Sequence, residues 1–121
     1  MMKTGFVHHE KYLWHDTRSA ALYMPAVGYV EPEAHTEGPE SKRRFRNLLE
    51  VSGLLDQLIR IPPRPATEEE ILRFHTRDYL DSIIARSADN GGDASSTGGA
   101  PFSPGAYEIA MLSAGGVIAA F

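Results

Sequence analysis

The sequence predicts part of a larger α/β unit, and three observations carry that expectation. Two short strand-like runs, residues 4–8 (TGFVH) and 58–61, alternate with segments whose apolar residues recur at helical spacing. Two strands are fewer than a covered parallel sheet needs. The last segment, from Ala106 onward, is apolar almost all round, so it is expected to be buried on most sides.

After the first strand, residues 10–37 show no sustained period; aromatics, Gly28 and prolines alternate with polar residues, which predicts a long functional or covering loop. A helix is expected from Pro39, a residue suited to the first helical position. Phe45, Leu48, Leu49 and Ser52 form its stripe and Gly53 ends it. The strand at 58–61 is closed by Pro62 and Pro63. Thr67 and Glu70 predict a capping box ahead of Ile71, Leu72 and Phe74. Tyr79, Leu80, Ile83 and Ile84 then continue as a second helix after a break near His75. Residues 88–99 (ADNGGDASSTGG) are a glycine- and serine-rich loop. Ser103 and Pro104 predict the N-cap and first turn of the last helix. That helix carries no stop signal, so the chain is expected to be a truncated part of a larger unit.

Composition narrows the function classes. The 121 residues are 42% hydrophobic and 23% charged with a net charge of −4, ordinary for one folded unit and unattractive to nucleic acid or anionic membrane. With no cysteine, disulfides and thiolate metal sites are excluded. No secretory signal and no run near the roughly 20 apolar residues of a membrane span is visible, which makes a cytoplasmic location the expectation.

Histidine, aspartate and glutamate are the remaining metal-ligand types. His8 and His9 are adjacent, and neighbours on a strand point to opposite faces, so one ion cannot easily take both. His15 and Asp16 could supplement one of them, but no HxxxH or HxH spacing exists; ordinary loop histidines are the preferred reading, for His35 as well. The loop GGDASSTGG could cradle an anion at a helix start, yet it lacks the lysine of a phosphate loop. Lys42, Arg43, Arg44 and Arg46 form a basic cluster, usually a solvated face. Arg43 and Arg46 share a face, while Arg44 lies about a quarter-turn away, nearer Phe45 and Leu48, so one arginine could turn inward.

Several segments together resemble the histone deacetylase and acetylpolyamine amidohydrolase family, especially its bacterial class II-like members. FHTRDYL (residues 74–80) is similar to the family's "FHT..YL" segment, and GPESKRRFRNLLEVSGLL (38–55) resembles its "HPE....R......L...GL" helix. PFSPGAYEIAMLSAGGVIAA (101–120) looks like the helix after the second rim loop, and KYLWHDT (11–17) is similar to the opening of the bacterial amidohydrolases. The matches run in family order across nearly the whole chain.

The resemblance implies the N-terminal part of an arginase/deacetylase-type α/β fold, with a central parallel sheet flanked by helices. Residues 1–37 would be the first strand and rim loop, 38–87 helices and second strand, 88–103 the second rim loop, and 104–121 a buried helix. It implies hydrolysis of an N-acetyl-lysine-like or acetylpolyamine amide at zinc, with two aspartates and a histidine as ligands and a histidine pair moving protons. All of these lie later in the family's order, so no catalytic or metal residue is expected here and no zinc is expected to bind this chain alone. His8 and His9 are not the family pair, since Phe6 and Val7 precede them instead of Pro-Gly. Arg44 matches an arginine lining an internal channel, while His75 and Tyr79 match a packing segment. Asp93 and Ser96 are the candidates for substrate-rim contact. Three departures stand out: Gly38 replaces the usual histidine, Ser95, Ser96 and Thr97 lie where an acidic residue is common, and Arg18 occupies a glycine position. The competing expectation is a non-catalytic binding or assembly module, its apolar face covered in a homo-oligomer or by a partner.

Overall fold

The computed structural model describes residues 3–21, 24–25, 27–95 and 97–121. The chain opens with β1 (Gly5–Val7), a 3-10 helix (Glu10–Trp14) and the antiparallel pair β2 (Ala20–Ala21) and β3 (Met24–Pro25), followed by α1 (Glu40–Val51). A 3-10 turn (Leu55–Gln57) leads into β4 (Ile59–Ile61). Beyond it lie α2 (Glu68–Ile71), α3 (Arg77–Ala88), the short antiparallel strands β5 (Gly92–Asp93) and β6 (Pro101–Phe102), and α4 (Ala106–Ala119). β1 and β4 pair in parallel with Phe6 opposite Arg60, so β1, α1 and β4 form one βαβ unit. The α/β expectation is met. Residues 10–37, read as loop, carry short pieces of their own: His9 Nδ1 accepts the Lys11 amide and starts the 3-10 helix.

Local chemistry sets the helix ends. Pro39 immediately precedes α1, and Gly53 follows it at φ +73°, the left-handed geometry that a helix exit uses. Thr67 and Glu70 form the expected capping box, each side chain accepting a backbone N–H of the other. Glu70 also takes Arg64 in a two-pronged pair at 2.9 and 2.6 Å, which ties the 63–66 segment to the start of α2. Thr76 caps α3 by accepting the Tyr79 amide.

The start of α4 differs from expectation. Its N-cap position is Gly105, in a left-handed conformation, and not Ser103. The buried Ser87 of α3 does the capping from across the fold: its hydroxyl accepts the Tyr107 amide at 2.9 Å and its carbonyl accepts the Gly105 amide at 3.1 Å. Ser103 is thereby free to bond elsewhere.

One face of α4 sits on backbone. A Cβ on Gly115 would overlap the Arg64 carbonyl and come against the Pro65–Ala66 main chain; one on Gly116 would meet the Tyr12 hydroxyl and Val7. The Ala66 amide donates to the Met111 carbonyl at 2.8 Å, and the Tyr12 hydroxyl donates to the Leu112 carbonyl at 3.1 Å. The buried apolar residues Leu13, Ala66, Leu80, Phe102, Ala106 and Met111 gather around this contact and the α3–α4 seam, while buried Leu55 lies by α1 near Phe6 and Arg46. The rest of α4 is less covered than its composition predicts, with Val117 59% exposed, because the described residues pack against one side only. The α1 stripe differs in the same way: Phe45 and Leu48 are exposed and only Leu49 is half-buried.

Two outcomes are expected. Alanine in a helix interior normally gains about 1 kcal/mol over glycine, but Gly115→Ala should reverse that and destabilise by about 1–3 kcal/mol through overlap with backbone. Gly116→Ala should cost less, since part of what it meets is the movable end of Tyr12. Thermal unfolding of the whole protein checks both. The Arg64 guanidinium, with the Thr67 amide, holds the Glu70 carboxyl down from its ordinary 4.5 to about 2. The contribution of this pair should therefore be complete above pH 4.5 and disappear only as pH falls through about 2. A carboxyl-detected NMR titration reads that midpoint directly.

Candidate functional site

In α/β folds, sites collect beyond the carboxyl ends of parallel strands. Here that edge is His8 after β1 and Pro62–Pro63 after β4. Two clefts open beside it, of about 370 and 330 Å³, and both are bordered by Phe6, His8 and Arg46. The His8 ring lies 6.0 Å from that of Phe6 and edge-on to Tyr12 at 6.2 Å. Burial, and then the positive charge of Arg46, push His8 below its ordinary value of 6.5, so it is held as a neutral imidazole at neutral pH.

The basic cluster divides around α1. Arg43 pairs with Glu10 at 3.1 Å and Arg46 with Glu50 at 2.5 Å, while Arg46 also reaches both clefts. Arg44 is exposed and borders neither. Arg43 and Arg46 share the face turned to the 3-10 helix and β1, and Arg44 stands around the helix from it.

A third cavity, about 430 Å³, lies between the first loop, α3, the β5–β6 hairpin and α4. Its polar lining includes His15, His35, Glu37, His75, Tyr79 and Tyr107. His35 is buried; its Nδ1 accepts the Glu37 amide at 3.1 Å, which leaves the proton on Nε2, and Nε2 has no partner among the described residues. His75, just ahead of α3, stacks on Tyr79 at 4.9 Å, and the Tyr79 hydroxyl donates to the Ala94 carbonyl, so Tyr79 braces the hairpin from α3.

The second loop is held from inside. One Asp93 oxygen accepts from the Ser95 amide at 2.7 Å and hydroxyl at 2.6 Å, and the other accepts the Ala100 amide at 3.2 Å. Burial works against its charge, but these bonds, with Arg86 nearby, outweigh it and keep the carboxyl below its ordinary value. Arg86 donates to the Asp93 carbonyl and covers the Phe102 ring. Asp93 thus faces its own loop; Ser96 lies outside the described residues. Sequence reasoning missed the bond from Ser103 to Asp16, which crosses the two loops at 2.7 Å, and the burial of His35, hidden in a polar stretch.

Among the described residues no three of His, Asp and Glu gather where a metal could bind. His9 is taken up by its helix cap and His8 by its aromatic neighbours.

The fold is similar to the crystal structure of the HDA15 HD domain, with a TM-score of 0.74 and 20% identity, covering 96% of this chain and 30% of that one. Residues 35–121 match the histone deacetylase domain. The chain is 45% identical to a histone deacetylase-like amidohydrolase of Pseudomonas aeruginosa, over 98% of this chain and 31% of that protein. It is 29% identical to histone deacetylase 8 of Arabidopsis thaliana, over 93% of this chain and 30% of that protein. The chain belongs to the histone deacetylase family, and it spans about a third of the length of these relatives.

Asp93→Ala should release the loop without unfolding the domain. Loss of a charged acceptor from the Ser95 and Ala100 amides predicts roughly tenfold faster hydrogen exchange at those positions, measured by NMR or mass spectrometry on the whole protein.

Proposed function

We propose that the whole protein is a zinc-dependent deacetylase hydrolysing N-acetyl-lysine-like or acetylpolyamine amides, and that the 121 residues supply scaffold and substrate rim. The observation that carries this reading is the family match spread along the chain. A zinc ion does not fit the residues described: they hold no three-ligand group, and the adjacent His8 and His9 are committed separately. The metal, its ligands and the proton-transfer histidines are therefore assigned to parts of the protein outside these residues, and this chain alone is expected to be inactive.

Within the proposal, residues 10–37 and 88–103 form the two rim loops. Asp93 and Ser96 are assigned to the rim, with Asp93 holding the shape of its loop. The resemblance places the channel-lining arginine at Arg44. The geometry supports Arg46 better, since it borders both clefts beside a neutral His8. A cytoplasmic location fits a deacetylase of this kind, and among the described residues no helix is long and apolar enough to cross a membrane.

Acetyl-lysine peptide turnover by the whole protein should be abolished by a chelator and restored by zinc. Undiminished activity in chelator, or turnover by residues 1–121 alone, would overturn the assignment. Arg46→Ala should lower turnover by on the order of tenfold or more, whereas Arg44→Ala should leave it within about twofold.

A further inference from the structure

The two loops are joined by a side-chain network that the catalytic reading does not use. The Ser103 hydroxyl donates to Asp16 Oδ2 at 2.7 Å and accepts from Arg18 Nε at 3.3 Å. The Ser103 amide donates to the Asp16 carbonyl at 3.1 Å, and the Arg18 guanidinium also donates to the Asn90 carbonyl. Asp16 Oδ1 accepts the Arg18 amide at 2.8 Å, closing the network within the first loop. Each of the three side chains therefore has two partners or more, and the bonds cross between segments 85–87 positions apart in sequence.

The backbone is shaped to allow this. Arg18 stands at φ +60°, the one non-glycine residue with positive φ among those described. That conformation is disfavoured for a side-chain-bearing residue, and it persists only where surrounding contacts hold it. Opposite it, Gly91 is at φ +75°, and a Cβ there would overlap the Phe102 carbonyl and crowd the Arg18 guanidinium. The Arg18 carbonyl accepts the His35 amide, and Ser19 bridges Ala34, so the far end of the first loop is fastened to the same point.

The geometry points to a latch: Asp16, Arg18 and Ser103 lock the first rim loop to the second and act as positioning residues for substrates that extend beyond the acetylated side chain. The latch rests on the reading of these loops as the substrate rim. A small acetyl amide does not span a rim, so its turnover is indifferent to the latch. A peptide that lies across both loops depends on their spacing.

The test uses the whole protein with Asp16→Asn, Ser103→Ala, the double variant, and Arg18→Gly. Glycine accepts φ +60° freely, so Arg18→Gly removes the guanidinium while easing the backbone, and loss of fold does not explain its effect. Hydrogen exchange in residues 15–38 and 89–103 should rise about tenfold in both loops whichever loop is altered. The double variant should add little to either single one, as expected of one coupled unit. KM for an acetyl-lysine peptide should rise roughly three- to tenfold with kcat within twofold, while a minimal acetyl amide is turned over as before. Exchange that rises only in the altered loop overturns the latch, as does an equal effect on peptide and small amide. Should the unaltered protein turn over neither substrate, the functional reading and the positioning role both fall; the exchange data still decide the coupling between loops.

Discussion

The contact between α4 and the 63–66 segment is the constraint on which the other features depend. Gly115 and Gly116 bring a helix axis against main chain, where the Ala66 amide and Met111 carbonyl meet and where Tyr12 reaches the Leu112 carbonyl. That seat sets the distance from α4 to β1 and so the width of the cleft that His8, Arg46 and Ser113 border. It also relies on Arg64, held by Glu70, to keep the 63–66 segment in place. A chain of small, local satisfactions, from a capping box to a two-pronged ion pair to a glycine step, fixes the geometry of the candidate site.

Much of this was legible in sequence because it depends on neighbours a few residues apart. The two strand segments, the exit of α1 at Gly53, the Thr67–Glu70 box and the interruption before α3 all follow from short-range patterns. What could not be read involves partners far along the chain. Ser103 has the composition of a cap, but its hydroxyl is drawn to Asp16, and Ser87 caps α4 instead. His35 sits in a polar stretch and is nevertheless buried, because residues 17–19 fold back alongside it. Spacing showed that Arg43 and Arg46 share a face but not which face of α1 meets the fold, because Arg43 finds Glu10 in the Glu10–Trp14 helix, an element with no periodic signal.

The departures from the family pattern acquire physical meaning in the same way. An arginine at position 18 keeps the left-handed backbone that a glycine would adopt easily, and gains a guanidinium that spans to the second loop. A serine-rich second loop, in place of an acidic one, is organised around Asp93, whose oxygens draw in the amides of its own turn. At both places polar groups hold loops in shape.

The capping of α4 by Ser87 bears on the order in which the chain can acquire structure. Two of the first amides of this helix find their acceptors on another helix, so its start is favoured once α3 is in place, and starting a helix is the unfavourable step. Ser87 leaves the ribosome before Tyr107 does, so α3 can stand ready as a template when the apolar residues of α4 emerge. Vectorial synthesis then presents the greasiest segment to a waiting surface, which shortens the time it spends open to misassociation.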